Sequence, residues 1–132
     1  MLVLKFGGTS VQDAAAIRRA AAIVAGCGCP QAVVVVSAMA GVTNALVEAG
    51  ASARAGDLTS AHRILDTIVL RHHETAEALV DGAARGELAG AIERHRAELL
   101  DLLTALFRAP DVAGRTMDAL LAQGELLSSH LV

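Results

Sequence analysis

An α/β fold with a parallel βαβ start and a long helical region is what this 132-residue sequence predicts. Three observations carry that expectation. An apolar run, Leu2–Phe6, enters a glycine pair and then a helical pattern. A second run, Ala32–Val36, is almost wholly valine without polar alternation, the pattern of a central parallel strand buried on both faces. Beyond about Thr43 every apolar periodicity is helical.

The elements follow in order. Residues 2–6 make the first strand. Ser10 is a natural N-cap, and Ser10-x-x-Asp13 resembles a capping box with Asp in place of the usual Glu. Ala14, Ile17, Ala21 and Val24 then share one helical face, and Gly26, Gly28 and Pro30 stop the helix. Strand 32–36 completes the βαβ unit. A helix is expected over 43–55, ending near Gly56. A second covers 59–80, with Ile64, Leu65, Ile68, Val69 and Leu79 as its stripe and Gly82 and Gly86 as breakers. A third spans 87–107 and turns at Pro110, and a fourth runs from Arg115 to the last residue. Two strands are too few for a stable open sheet, which has ~4–6. The expectation is therefore a single unit over 1–132 that is part of a longer domain, its remaining strands beyond Val132, or else one completed by oligomerisation.

Composition narrows the function. The chain is 54% hydrophobic and 2% aromatic, with a net charge of -3 and no basic cluster, which argues against nucleic acid as a partner. No apolar run approaches the ~20 residues of a membrane-spanning helix. The first residues read as a strand and not as a signal peptide, so a cytoplasmic protein is expected. Cys27 and Cys29 are spaced for neither a redox motif nor a zinc site, and His62, His72, His73, His95 and His130 form no ligand set, so no metal site is assigned.

Three short constellations can carry chemistry. The first is Lys5-Phe6-Gly7-Gly8-Thr9-Ser10. Lys5 is the sole lysine of the chain, set within an apolar strand where a charge is costly unless paired. Its compact ammonium, beside bare glycine backbone at a helix start, suits a phosphate. The alternative is a tight strand-to-helix connection with Lys5 reaching solvent. The second is Ser37-Ala38-Met39-Ala40-Gly41-Val42-Thr43-Asn44, at the strand end where open α/β sheets bind ligands. Here Ser37 and Thr43 can hydrogen-bond a polar substrate or simply cap a helix. The third is Gly124-Glu125-Leu126-Leu127-Ser128-Ser129. One turn after Leu121, Glu125 borders the apolar face and calls for a cation, either a substrate ammonium or an arginine.

Together, Lys5 to Val11, Val33 to Asn44 and Gly124 to Ser129 resemble the aspartokinase family, within the amino-acid kinase superfamily, and they stand in that family's order. The resemblance implies the N-terminal portion of a three-layer sandwich. It implies transfer of the γ-phosphoryl group of ATP to the side-chain carboxylate of L-aspartate, giving 4-phospho-L-aspartate, the first step towards lysine, threonine and methionine. Carried over by position, Lys5 is catalytic and neutralises the migrating phosphoryl group. Phe6, Gly7, Gly8, Thr9 and Ser37 join Lys5 in holding ATP phosphate, while Thr43 and Glu125 bind aspartate, Glu125 at its α-ammonium. ATP and Mg2+ are the implied cofactors, the metal ligands falling outside these 132 residues, and the complete protein is expected to be a homo-oligomer. The helical stretch between Asn44 and Gly124 resembles the subgroup with an extended helical insertion, either monofunctional or fused to homoserine dehydrogenase. The 132 residues alone are expected to be inactive. Two rivals remain: another amino-acid kinase acting on glutamate or acetylglutamate, and a non-catalytic helical association module.

Overall fold

The structure, a computed structural model, describes residues 1–132 with the exception of the Val112 side chain. Its elements in order are β1 (Leu2–Phe6), a 3-10 turn (Gly8–Val11), α1 (Ala14–Gly26), β2 (Ala32–Val36), α2 (Val42–Arg54), α3 (Leu58–Leu79), α4 (Gly82–Arg108), a second 3-10 turn (Pro110–Val112) and α5 (Gly114–Leu131). β1 and β2 pair in parallel, Leu2 against Ala32 through Lys5 against Val35 to Phe6 against Val36. The expected βαβ unit is present, and the helices that follow pack beside it.

Side-chain alternation gives the sheet two unlike faces. Leu4, Phe6 and Val36 turn towards the helices and join the core. Val3, Lys5, Val33 and Val35 share the opposite face, and all are exposed. Burial of β2 on both faces is thus corrected: Val33, Val34 and Val35 are 46%, 37% and 42% exposed. Helices meet only one face of the two-stranded sheet. Even there Val34 lines an open groove with Ala21, Val24 and Val132.

Two helix starts differ from expectation. Ser10 lies inside the first 3-10 turn and does not cap α1; its amide donates to Gly7 O at 2.9 Å. Asp13 is the cap, its Oδ1 accepting from the Ala16 amide at 2.8 Å. The buried stripe of α1 is accordingly Ala16, Ile17 and Ala20, which leaves Ala21 at the groove. α4 begins at Gly82 and runs straight through Gly86, where a break was expected. A helix-interior glycine costs only about 1 kcal/mol against alanine, and the packed remainder of a 27-residue helix outweighs that. The other three boundaries agree within a residue or two.

The core lies among α2, α3, α4 and α5. Leu46, Leu65, Ile92, Leu99, Leu103, Leu106, Leu120 and Leu127 are essentially inaccessible, and burying each such side chain is worth roughly 1.5–3 kcal/mol. With so few aromatics, close helix approach replaces bulk. A Cβ on Gly50 of α2 would stand 2.6 Å from Met117 Sδ of α5, so the Met117 side chain would have to move to admit a larger residue.

Candidate active site

The glycine turn after β1 and the loop after β2 meet where the two strands end. Beyond Phe6 the chain turns at Gly7 and Gly8; beyond Val36 it makes the loop 37–41 before α2. Backbone bonds join the two segments: the Ser37 amide donates to Phe6 O at 3.0 Å and the Ala40 amide to Gly8 O at 3.2 Å. Gly8 must be bare for this, since a Cβ there would meet Ala38 O at 3.0 Å. Gly41 must be glycine for another reason, its left-handed φ of 84° at the start of α2. Gly7 differs from both. Its backbone is extended and a Cβ would meet nothing within 4 Å, so its bareness answers to no contact within the chain.

α5 closes the third side. Gly124 lets it approach the loop, because a Cβ there would lie 3.0 Å from Ala38 Cβ and 3.3 Å from Leu46 Cδ1. Ser128, fully buried, then places its hydroxyl 2.5 Å from Ser37 O and donates to it across 91 residues of sequence. The three segments therefore meet in space. Phe6 is buried, Gly8 and Ser37 are half-buried, and Lys5, Gly7, Thr9, Thr43 and Glu125 are exposed; no hydrogen bond or ion pair among the described residues joins Lys5, Thr43 and Glu125 to one another.

Two electrostatic expectations change. Lys5 is on the open face of β1, where its ammonium is solvated and incurs no burial cost. Glu125 is likewise exposed, because the buried face of α5 runs through Leu120, Gln123, Gly124, Leu127, Ser128 and Leu131. A position one residue past Gly124 is turned about 100° from it. Among the described residues neither Lys5 nor Glu125 has an ion-pair partner in the chain. Both groups are thus free for a ligand.

Sequence reasoning left two residues of this region without a role. Ser128 lay within the third constellation, but one helix alone does not reveal which carbonyl its hydroxyl will meet. Arg71 of α3 was not singled out; its guanidinium Nη1 donates to Ala40 O at 2.6 Å and Nη2 to Gln12 O at 2.8 Å. Its only sequence signal is position, one residue before buried His72 and three after buried Ile68, at the margin of the apolar stripe.

A parallel βαβ unit whose glycine turn and next loop meet at the carboxyl edge of the strands defines an α/β protein of the kind that binds ligands at that edge. The model of the amino acid kinase family matches residues 1–132, and the chain belongs to that family. Among curated relatives it is 31% identical to aspartokinase 2, chloroplastic, of Arabidopsis thaliana, over 98% of this chain and 23% of that protein. It is 28% identical to the bifunctional aspartokinase/homoserine dehydrogenase 2, chloroplastic, of the same plant, over 98% of this chain and 14% of that one. Among solved structures it superposes on E. coli aspartokinase III in complex with lysine and aspartate (T-state) with a TM-score of 0.82 at 31% identity. The same enzyme with aspartate and ADP (R-state) gives 0.71 at 30%. Each superposition covers 99% of this chain and 27% of the other. The chain spans about a quarter or less of the relatives it matches, and its α/β architecture is that of the corresponding part of the aspartokinase fold.

Proposed function

We propose that the chain is the amino-terminal, substrate-side part of an aspartate kinase catalytic domain, which phosphorylates the side-chain carboxylate of L-aspartate with ATP. The supporting observation is the convergence of the glycine turn, the Ser37–Gly41 loop and the Gly124–Ser128 turn of α5 at one strand edge. The relatives named as aspartokinases, one of them solved with aspartate and ADP, favour aspartate over glutamate or acetylglutamate as acceptor.

Phosphoryl transfer needs positioning and charge stabilisation more than covalent participation. In this reading the Lys5 ammonium neutralises charge on the migrating phosphoryl group. The open space over Gly7 lets that group approach the backbone, with the amides of Gly7 and Gly8 donating to it. Phe6 and Thr9 complete the phosphate side, and Ser37 holds the reacting groups together. Thr43 binds aspartate from the first turn of α2, and the solvated Glu125 carboxylate takes its α-ammonium. The ligands of Mg2+, the adenine pocket and any subunit contacts of a homo-oligomer belong to the rest of the proposed enzyme.

The test is an acyl-phosphate assay with ATP and a panel of L-aspartate, L-glutamate and N-acetyl-L-glutamate, applied to the complete protein that carries this chain and to the 132 residues alone. Turnover of aspartate by the complete protein and none by the 132 residues is expected. Preference for another acceptor would replace aspartate in the proposal, and turnover by the short chain would refute its incompleteness.

A further inference from the structure

We propose that Arg71 is a positioning residue for the phosphoryl-transfer site, a two-pronged clamp that holds the glycine turn and the Ser37–Gly41 loop in fixed register. The positioning role rests on the kinase reading above; the clamp itself rests on geometry alone. α3 brings the half-buried guanidinium behind both segments, and its two Nη atoms donate to Ala40 O at 2.6 Å and Gln12 O at 2.8 Å. Gln12 follows directly on the Gly8–Val11 turn, and Ala40 directly precedes Gly41. The backbone of Ala40 is consequently gripped at both polar groups. Its amide donates to Gly8 O and its carbonyl accepts from Arg71.

Arg18 and Arg54 each donate to one backbone carbonyl, whereas Arg71 donates to two, in separate segments. The ion pairs among the described residues involve Arg85, Arg96 and His73, and none engages Arg71. The guanidinium spends its donors on two carbonyls from segments 28 residues apart in the chain (12 and 40) while keeping its positive charge uncompensated by a carboxylate. Such bonds from a charged donor are about twice as strong as neutral ones, and a planar fork reaches two fixed acceptors at once where an ammonium serves them as a mobile point. Two loops that must present Gly7, Gly8, Ser37 and Thr43 to the same reacting groups need this kind of tie, since a misplacement of ~1 Å can cost ~100-fold in rate.

Arg71→Met and Arg71→Lys test the clamp by amide hydrogen exchange on the complete protein that carries this chain. Arg71→Met should speed exchange in segments 7–12 and 37–41 by about tenfold, as expected for loss of hydrogen bonds to a charged donor, with α4 and α5 unchanged and Arg71→Lys in between. Uniform acceleration through α4 and α5, or none in the two loops, would overturn the clamp. In the complete enzyme Arg71→Met should lower kcat for aspartate ~100-fold, with a partial return in Arg71→Lys. Unchanged kcat beside loosened loops would overturn the positioning role. A wild-type enzyme that fails to phosphorylate aspartate would instead sink the kinase reading and the positioning role with it, leaving the exchange data to judge the clamp.

Discussion

At the scale of single residues, glycines and one lysine show what a sequence can and cannot declare. The only lysine of the chain stood out by its rarity, and the reading that it must be paired to survive in a strand did not hold, because β1 turns Lys5 to an open face. Exposure is what the plain strand-to-helix connection expects, so the role of Lys5 rests on the kinase reading; with no ion-pair partner among the described residues, Lys5 contributes little to folding. Lys5→Ala is therefore expected to change unfolding free energy by less than about 0.5 kcal/mol. In the complete enzyme it should lower kcat by ~100-fold or more, the scale of losing one electrostatic stabiliser of a transition state. Thermal unfolding and steady-state kinetics on the same variant check both halves, and a stable variant with normal turnover would remove Lys5 from the site. Gly124 is the opposite case. Gly124→Ala drives a Cβ to 3.0 Å from Ala38 Cβ and 3.4 Å from Val42 Cγ1, and such overpacking costs typically about 1–3 kcal/mol. Urea denaturation should show that loss, whereas alanine at Gly7, with nothing within 4 Å, should leave stability unchanged. Gly7 and Gly124 look alike in sequence, and only the fold separates a glycine packed tight from one left open.

At the scale of elements, period and composition sufficed to locate both strands and every long helix, since those signals are local. Boundaries set by competing local interactions were less legible. Ser10 and Asp13 are both good caps, three residues apart, and the choice between them depends on where the backbone leaves the 3-10 turn, which ends at Val11 and so leaves Asp13 to cap α1. Asp13→Ala should therefore cost about 1 kcal/mol, the usual value of an N-cap, and Ser10→Ala markedly less. A pair of urea midpoints decides this; equal losses would mean that both residues cap. Gly86 failed as a breaker because its penalty is paid within a long helix anchored by Leu99, Leu103 and Leu106. The site followed the same division. The turn after β1 and the loop after β2 were legible because strand ends carry ligands in this class of fold, whereas Arg71 and Ser128 act through carbonyls 31 to 91 residues away, beyond any local pattern.

At the scale of the whole molecule, the helical layer holds a titratable group at its centre. His72 of α3 is completely inaccessible, and its Nδ1 lies 2.7 Å from Ile68 O, so that nitrogen carries the proton and donates. Nε2 is then a bare acceptor with no partner among the described residues. Burial is the main cause holding the pKa of His72 below its ordinary 6.5; the bond to Ile68 opposes it, and the nearby charges of Arg71, with His73 and His95 when protonated, add to the depression. A histidine whose folded pKa lies below its unfolded one binds fewer protons folded than unfolded, so stability falls as pH drops below about 6.5 and continues to fall until the folded pKa is passed. The prediction is a urea midpoint that is flat from pH 8 to 7 and declines from pH 6.5 to 5, with His72→Gln showing a shallower decline across that same range. Gln retains a donor for Ile68 O yet cannot titrate, so its loss of stability at pH 8 measures packing while the difference in slope measures the buried proton. Identical slopes in the two proteins would show that the buried imidazole of His72 is not the source of the acid sensitivity.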